Sequence, residues 1–193
     1  MRRAVFLDRD GVLIKDTGLI TDGKSASLMP GASKALSLLH QAGCLLIVVT
    51  NQSVLARGIM DEQRVLQVEH DVELRLHREG APSIDGFYYC GHHPNATIDK
   101  WRVNCSCRKP SPGLLLAAAR DLDVDLSRSY MVGDRPTDIG AGDSAGCRTV
   151  LVQTGRHLDP PIETSDPFTP PEPDMICEDL FQAAKKILQE VQP

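Results

Sequence analysis

The sequence predicts an α/β fold, a Rossmann-like three-layer sandwich built on a mostly parallel sheet, and three observations carry that expectation. Short apolar runs rich in β-forming residues recur along the chain, helix-period segments fill the gaps between them, and the runs lack polar alternation. Strands covered by helices on both faces read in this way. The runs are 4–7, 44–49, 86–90, 129–132 and 149–152, with 175–177 as a candidate last strand. The segments between them are long enough for the right-handed crossovers that join parallel neighbours.

Each helix has its own signal. Residues 31–41 place Ala32, Ala35, Leu36 and Leu39 on one stripe, and Asp61 is suited to cap a long helix whose Val65, Val68, Val72 and Leu76 face the sheet. Ser111 and Pro112 suit the N-cap and first position of a helix running through Leu114 to Leu122 and ending at Asp123. Phe181, Ala184, Leu188 and Val191 form the apolar face of a closing helix. Between these elements, residues 158–173 are too rich in proline for a helix and are expected to be a surface loop.

At 193 residues and 41% hydrophobic content, the chain has material for one well-buried core, so a single domain over 1–193 is expected. A net charge of -5 argues against nucleic acid as a partner, because duplex binding needs a basic face. The apolar run 4–7 is broken by Asp8, too early for a signal peptide, and no stretch reaches membrane-spanning length. The expectation is a monomeric cytoplasmic protein with no membrane partner. In that compartment six cysteines are expected to be reduced, buried or metal-bound rather than disulfide-paired. Cys44, Cys147 and Cys177 lie in or beside strand runs and read as small core residues.

In open parallel sheets the ligand crevice lies beyond the carboxyl ends of the strands. The first strand runs into Asp8-Arg9-Asp10-Gly11, and a spacing of two returns both carboxylates to one side of an extended chain. Like charges held that close call for a hard divalent cation such as Mg²⁺. The fourth strand delivers Asp134 to the same edge, with Asp138 one turn further, while the second ends in Thr50-Asn51-Gln52-Ser53. The basic pair Arg108-Lys109 precedes the helix near Ser111. A lone Asp after a strand is usually a turn or capping residue. Here acids, a hydroxyl, amides and cations converge, and phosphoryl transfer needs little beyond such a set.

Asp-Arg-Asp-Gly, Thr50, Lys109 and Gly-Asp-x-x-x-Asp, in that order over about residues 4–155, resemble the four motifs of the haloacid dehalogenase superfamily. The resemblance implies Asp8 as nucleophile and metal ligand, Asp10 as general acid and then base, and Thr50 as a ligand of the transferring phosphoryl group. It implies Lys109 as the group that offsets phosphoryl charge. Mg²⁺ would be held by Asp8, Asp134 and the backbone carbonyl of Asp10. Neither the stretch after Asp10 nor that after Thr50 has room for an inserted lid. A capless member with an open pocket is therefore expected.

A second cluster is local. Cys90-Gly91-His92, twelve residues, then Cys105-Ser106-Cys107 supply three thiols and an imidazole, a set that suits closed, structural Zn²⁺. The competing reading is a group of unpaired buried cysteines, and by spacing His93 rivals His92 as the fourth ligand. Cys-x-His-His-Pro followed by Cys-x-Cys-Arg-Lys-Pro resembles the D-glycero-D-manno-heptose-1,7-bisphosphate phosphatases and the related histidinol-phosphate phosphatases, and His92 aligns with the ligand of that family. The segment from Thr50 to Gly58 is more similar to the heptose enzymes.

That resemblance implies that Arg108 also contacts the phosphoryl group, and that Asp16, Thr17, Gly18 and Leu19 form a substrate-contacting loop. Arg9, Asn51, Gln52, Ser53 and Arg135 are expected at the substrate, and Arg57 is a candidate for the distal phosphate of a bisphosphate. Leu19, Val54 and Arg135 stand where the family often has Tyr, Gly and Lys, which bears on the exact sugar and anomer. The implied partner is a small phosphorylated sugar, hydrolysed at its C7 phosphate. The alternatives are a histidinol-phosphate phosphatase, a polynucleotide-end phosphatase, which the acidic charge disfavours, and a zinc-stabilised binding protein without activity.

Overall fold

A computed structural model describes residues 1–158 and 168–191. Six strands, β1 (Ala4–Leu7), β2 (Leu45–Asn51), β3 (Gly86–Cys90), β4 (Tyr130–Gly133), β5 (Arg148–Val152) and β6 (Met175–Cys177), form one sheet in the order β3-β2-β1-β4-β5-β6. Every strand pairing described is parallel. The expected strands are therefore present, including the candidate at 175–177.

The missing alternation has a direct structural cause. Val5, Leu7, Leu46, Val48, Val132 and Val150 point into one apolar cluster, while Ala4, Phe6, Leu45, Ile47, Val49 and Met131 point into another. Successive side chains of a strand face opposite ways, so both faces must be apolar when both are covered. The first cluster is closed by α1 (Ala32–Gln41), α3 (Glu62–Arg78) and α6 (Leu180–Val191), the second by α4 (Gly113–Leu122) and α5 (Pro136–Ala145). A short α2 (Ser53–Ala56) follows β2. Three layers result, as the sequence predicts.

Asp61 caps α3, its side chain accepting from the Arg64 amide at 2.8 Å. The buried face of α6 is centred on Leu180, Ala183, Ala184 and Ile187, about one position off the expected stripe. α4 departs further from expectation. It begins at Gly113, with Pro112 at the cap position and no side-chain cap, so Ser111 is not the N-cap. The physical reason lies outside the helix: the Gly113 amide donates to the Ser106 carbonyl at 2.9 Å and the Ser111 amide to the Arg108 carbonyl at 2.9 Å. The preceding loop thus supplies the partners that a capping side chain would. Most of the proline-dense segment 158–173 lies outside the described residues, and 168–173 carries no helix or strand.

β1 pairs with β2 on one side and β4 on the other, while their connections leave in opposite directions along the sheet. This is the topological switch point, where a crevice opens beyond the strand ends.

Candidate active site

Asp8 leaves β1 at that switch point, its amide donating to the Val132 carbonyl at 3.0 Å and so extending the β1/β4 ladder by one residue. The chain then turns sharply. The Arg9 carbonyl accepts from the amides of Leu13 and Ile14 at 2.9 and 3.1 Å, and Gly11 adopts a φ of 91°. A side chain at Gly11 would also run into the Asp134 carboxylate, and Gly155 presses on the same carboxylate from another loop. Two glycines therefore frame Asp134, which follows β4.

The carboxylates of Asp8, Asp134 and Asp138 offer oxygens within 4.8 Å of one another, and all three residues are buried. Asp134 Oδ2 accepts from the Arg156 amide at 2.6 Å, whereas Oδ1 has no hydrogen-bond partner among the described residues. Burial first, then the charges of Asp8 and Asp138, push the Asp134 carboxyl up to about 8. An unsatisfied carboxylate oxygen amid like charge is costly without a cation. Hard oxygen donors at this spacing fit Mg²⁺.

Lys109 supplies one compensating charge. Its Nζ lies 2.8 Å from Asp8 Oδ1, 2.6 Å from Asp138 Oδ1 and 2.8 Å from the Val49 carbonyl. Burial would lower its pKa, but Asp138 and Asp8 outweigh that and hold the ammonium charged. Asn51 fixes the backbone behind it, Nδ2 donating to the Lys109 carbonyl and Oδ1 accepting from the Lys109 amide, both at 3.1 Å. The end of β2 thereby grips a loop 58 residues away in sequence.

Asp10 does not join the carboxylate trio through its side chain. Arg9 holds both its oxygens, Nε to Oδ1 at 2.9 Å and Nη2 to Oδ2 at 3.0 Å, and Gln52 Nε2 reaches Oδ2 at 3.3 Å while also donating to Thr50 Oγ1 at 3.0 Å. A cavity of about 340 Å³ opens over this group. Asp8, Asp10, Thr50, Asn51, Gln52, Ser53, Arg57, Arg108 and Lys109 line it, together with Asp16, Gly18, Leu19 and Arg135. Asp134 lies behind the wall.

Two expected contacts are placed elsewhere. Arg9 is fully buried beneath the cavity, where it serves Asp10, and Thr17 is exposed outside the lining. Alternation within the tight turn explains the first, since Asp8 and Asp10 face the cavity and Arg9 between them faces the interior. Asp16 is also largely withdrawn, its carboxylate tied to the Gly18 amide at 2.8 Å, to Arg135 at 2.8 Å and to Arg156 at 2.8 Å. It organises two cavity-lining arginines rather than presenting a free acid. Arg156 escaped the sequence reading, although it sits in the loop directly after β5, where the crevice rule would have found it.

The thiols of Cys90, Cys105 and Cys107 lie 3.0 to 3.6 Å apart, and His92 Nδ1 is 3.4 Å from Cys107 Sγ and 3.7 Å from Cys90 Sγ. These are edges of a compact tetrahedron whose four donors suit Zn²⁺. His93 turns away, its Nδ1 accepting from the Asn95 amide at 3.0 Å. The His92 carbonyl accepts from Arg108 Nη1 at 2.9 Å, which links this cluster to the cavity wall.

A HAD-hydrolase-like family model matches residues 106–183. The D-glycero-beta-D-manno-heptose-1,7-bisphosphate 7-phosphatase of Photorhabdus laumondii is 42% identical over 83% of this chain and 85% of its own length. The protein of the same name from Escherichia coli is 39% identical over 84% and 85%. The chain belongs to this phosphatase family. Among solved structures, D,D-heptose 1,7-bisphosphate phosphatase from B. bronchiseptica, complexed with magnesium and phosphate, superposes with a TM-score of 0.82. It is 34% identical and covers 97% of this chain and 99% of that one. Membership in the 7-phosphatase family accords with the HAD-type sheet and with the four motifs meeting at one strand edge. No helix among the described residues is long and apolar enough to cross a membrane.

Proposed function

We propose that this chain is a magnesium-dependent phosphatase that removes the C7 phosphate of D-glycero-D-manno-heptose 1,7-bisphosphate through an aspartyl phosphate on Asp8. The observation that carries this reading is the meeting of Asp8, Asp134 and Asp138 at one buried point, beside Lys109 and under a cavity. The heptose substrate is the one named for its relatives.

Asp8 attacks phosphorus, the bond to the C7 oxygen breaks, and Asp10 gives its proton to that oxygen. Asp10 then takes a proton from water, which attacks the acyl phosphate, releases phosphate and restores Asp8. Thr50 donates to the phosphoryl group, and Lys109 with Arg108 offsets its charge. Asp8, Asp134 and the Asp10 backbone carbonyl would hold Mg²⁺, which when bound would supply Lewis-acid stabilisation of the phosphoryl oxygens. Asp138 steers Lys109. Zn²⁺ at Cys90, His92, Cys105 and Cys107 is structural, because a closed four-ligand set leaves no place for substrate. Its effect on catalysis passes through Arg108.

The cationic rim of Arg57, Arg108, Arg135 and Arg156 suits a second phosphate on the substrate. Phosphate release from the heptose bisphosphate, compared with histidinol phosphate, tests the assignment. A higher kcat/KM for the bisphosphate is expected, and a preference for histidinol phosphate overturns it.

A further inference from the structure

Beneath the cavity floor, a second acid approaches Arg9 from the side away from Asp10. Arg9 Nη1 faces Glu69 Oε2 at 3.9 Å, and neither atom has a hydrogen-bond partner among the described residues. Arg9 spends its other two nitrogens on both oxygens of Asp10. The order is therefore Asp10, Arg9, Glu69, running from the cavity into the core, with the Arg9 and Glu69 side chains only 1% and 10% exposed.

Glu69 has no obvious structural reason to be there. It lies one turn beyond Val65 on the sheet-facing side of α3, next to Val68 and Val72, all buried. A buried ion pair seldom stabilises more than well-packed apolar residues of the same volume. Burial first, opposed by Arg9 and reinforced by Asp10 and Glu73, pushes the Glu69 carboxyl up to about 7. A leucine would fill the stripe more cheaply.

We infer that Glu69 is a positioning residue for the phosphatase reaction: facing Arg9 from behind, it limits where the guanidinium can sit, and so sets how Arg9 presents Asp10 to the leaving oxygen. Without the Glu69 carboxylate behind it, the Arg9 guanidinium is free to shift, and the Asp10 carboxyl that it holds through both oxygens shifts with it, out of line with the leaving oxygen. The inference rests on Asp10 being the proton donor proposed above.

A distinctive consequence is dependence on the leaving group. An alkyl oxygen needs Asp10's proton as it departs, whereas 4-nitrophenolate leaves as a stable anion. The ratio kcat/KM covers the steps up to departure, so it isolates that transfer. Glu69→Gln should lower kcat/KM for the sugar phosphate about tenfold or more, and for 4-nitrophenyl phosphate by less than about threefold. In an Asp10→Asn background, Glu69→Gln should add little. If Glu69→Gln does not fold, Glu69→Asp carries the same comparison with a smaller split.

Equal losses on the two esters, or none, overturn the positioning role while leaving the phosphatase reading intact. If the unaltered protein hydrolyses neither ester, that reading fails and takes the inference with it.

Discussion

The two clusters of candidate ligands are built on opposite plans. The carboxylate site gathers Asp8, Asp134 and Asp138 from two strand ends and a helix, with Lys109 reaching Asp8 across 101 residues of sequence. The thiol cluster uses four residues from one stretch, at most 17 apart, with no further element needed to bring them together. Oxygen ligands at the sheet edge border an open cavity, whereas the sulfur ligands close on themselves. The proposed chemistry thus falls to groups gathered from across the fold, and the cysteine and histidine loop has the smaller proposed task of presenting Arg108, whose Nη1 donates to the His92 carbonyl at 2.9 Å.

If that division is right, damage to the two clusters should separate. Asp8→Asn should lower turnover by at least about a thousandfold, since it removes the nucleophile, yet leave the melting curve cooperative. Retained turnover in a phosphate-release assay would remove Asp8 from that role. Cys107→Ser should do the reverse. A loss of about 2–3 kcal/mol would lower Tm by roughly 5–10 °C, with KM raised several-fold through Arg108 and kcat less affected. Zinc analysis of protein purified without chelators should find close to one equivalent in the original chain, and finding none would dismiss the four-ligand set.

A smaller effect should follow pH. In the metal-free protein the Asp134 carboxyl is raised to about 8, chiefly by burial, above its unfolded value of about 3.9. Between those values the folded state binds more protons than the unfolded one, so this group's contribution to stability falls as pH rises. Divalent cations require the ionised form. The Tm increase produced by Mg²⁺ should therefore grow from pH 6 through about 8 and then level off, and an increase independent of pH would contradict the placement of the ion. The smallest change is expected at Ser111, where Ala should cost less than about 0.5 kcal/mol by thermal melting. A true N-cap would cost about 1.

The same contrast explains what was legible in the sequence. Unalternated strand runs reveal a two-sided sheet because each strand must satisfy both faces, and residues at strand ends reveal the crevice because topology places it there. The cysteine cluster is local and can be read from spacing, although spacing leaves His93 open and the family resemblance is what singles out His92, whose ring lies at Cys107 while His93 turns to Asn95. What remained hidden depends on contacts across the fold. Arg9 looks like a site residue from its position but turns inward, and Asp16, expected in a substrate-contacting loop, has its carboxylate occupied by Arg135 and Arg156. The start of α4 was misplaced because a loop carbonyl, invisible to capping rules, does the work of Ser111.

The most direct measurement is acid quenching during turnover of the heptose bisphosphate, followed by peptide mass spectrometry. One phosphoryl group should appear on the peptide containing Asp8, only with Mg²⁺ present, and be absent from Asp8→Asn. A phosphoryl group on another residue, or turnover with no covalent phosphate at any quench time, would contradict the account.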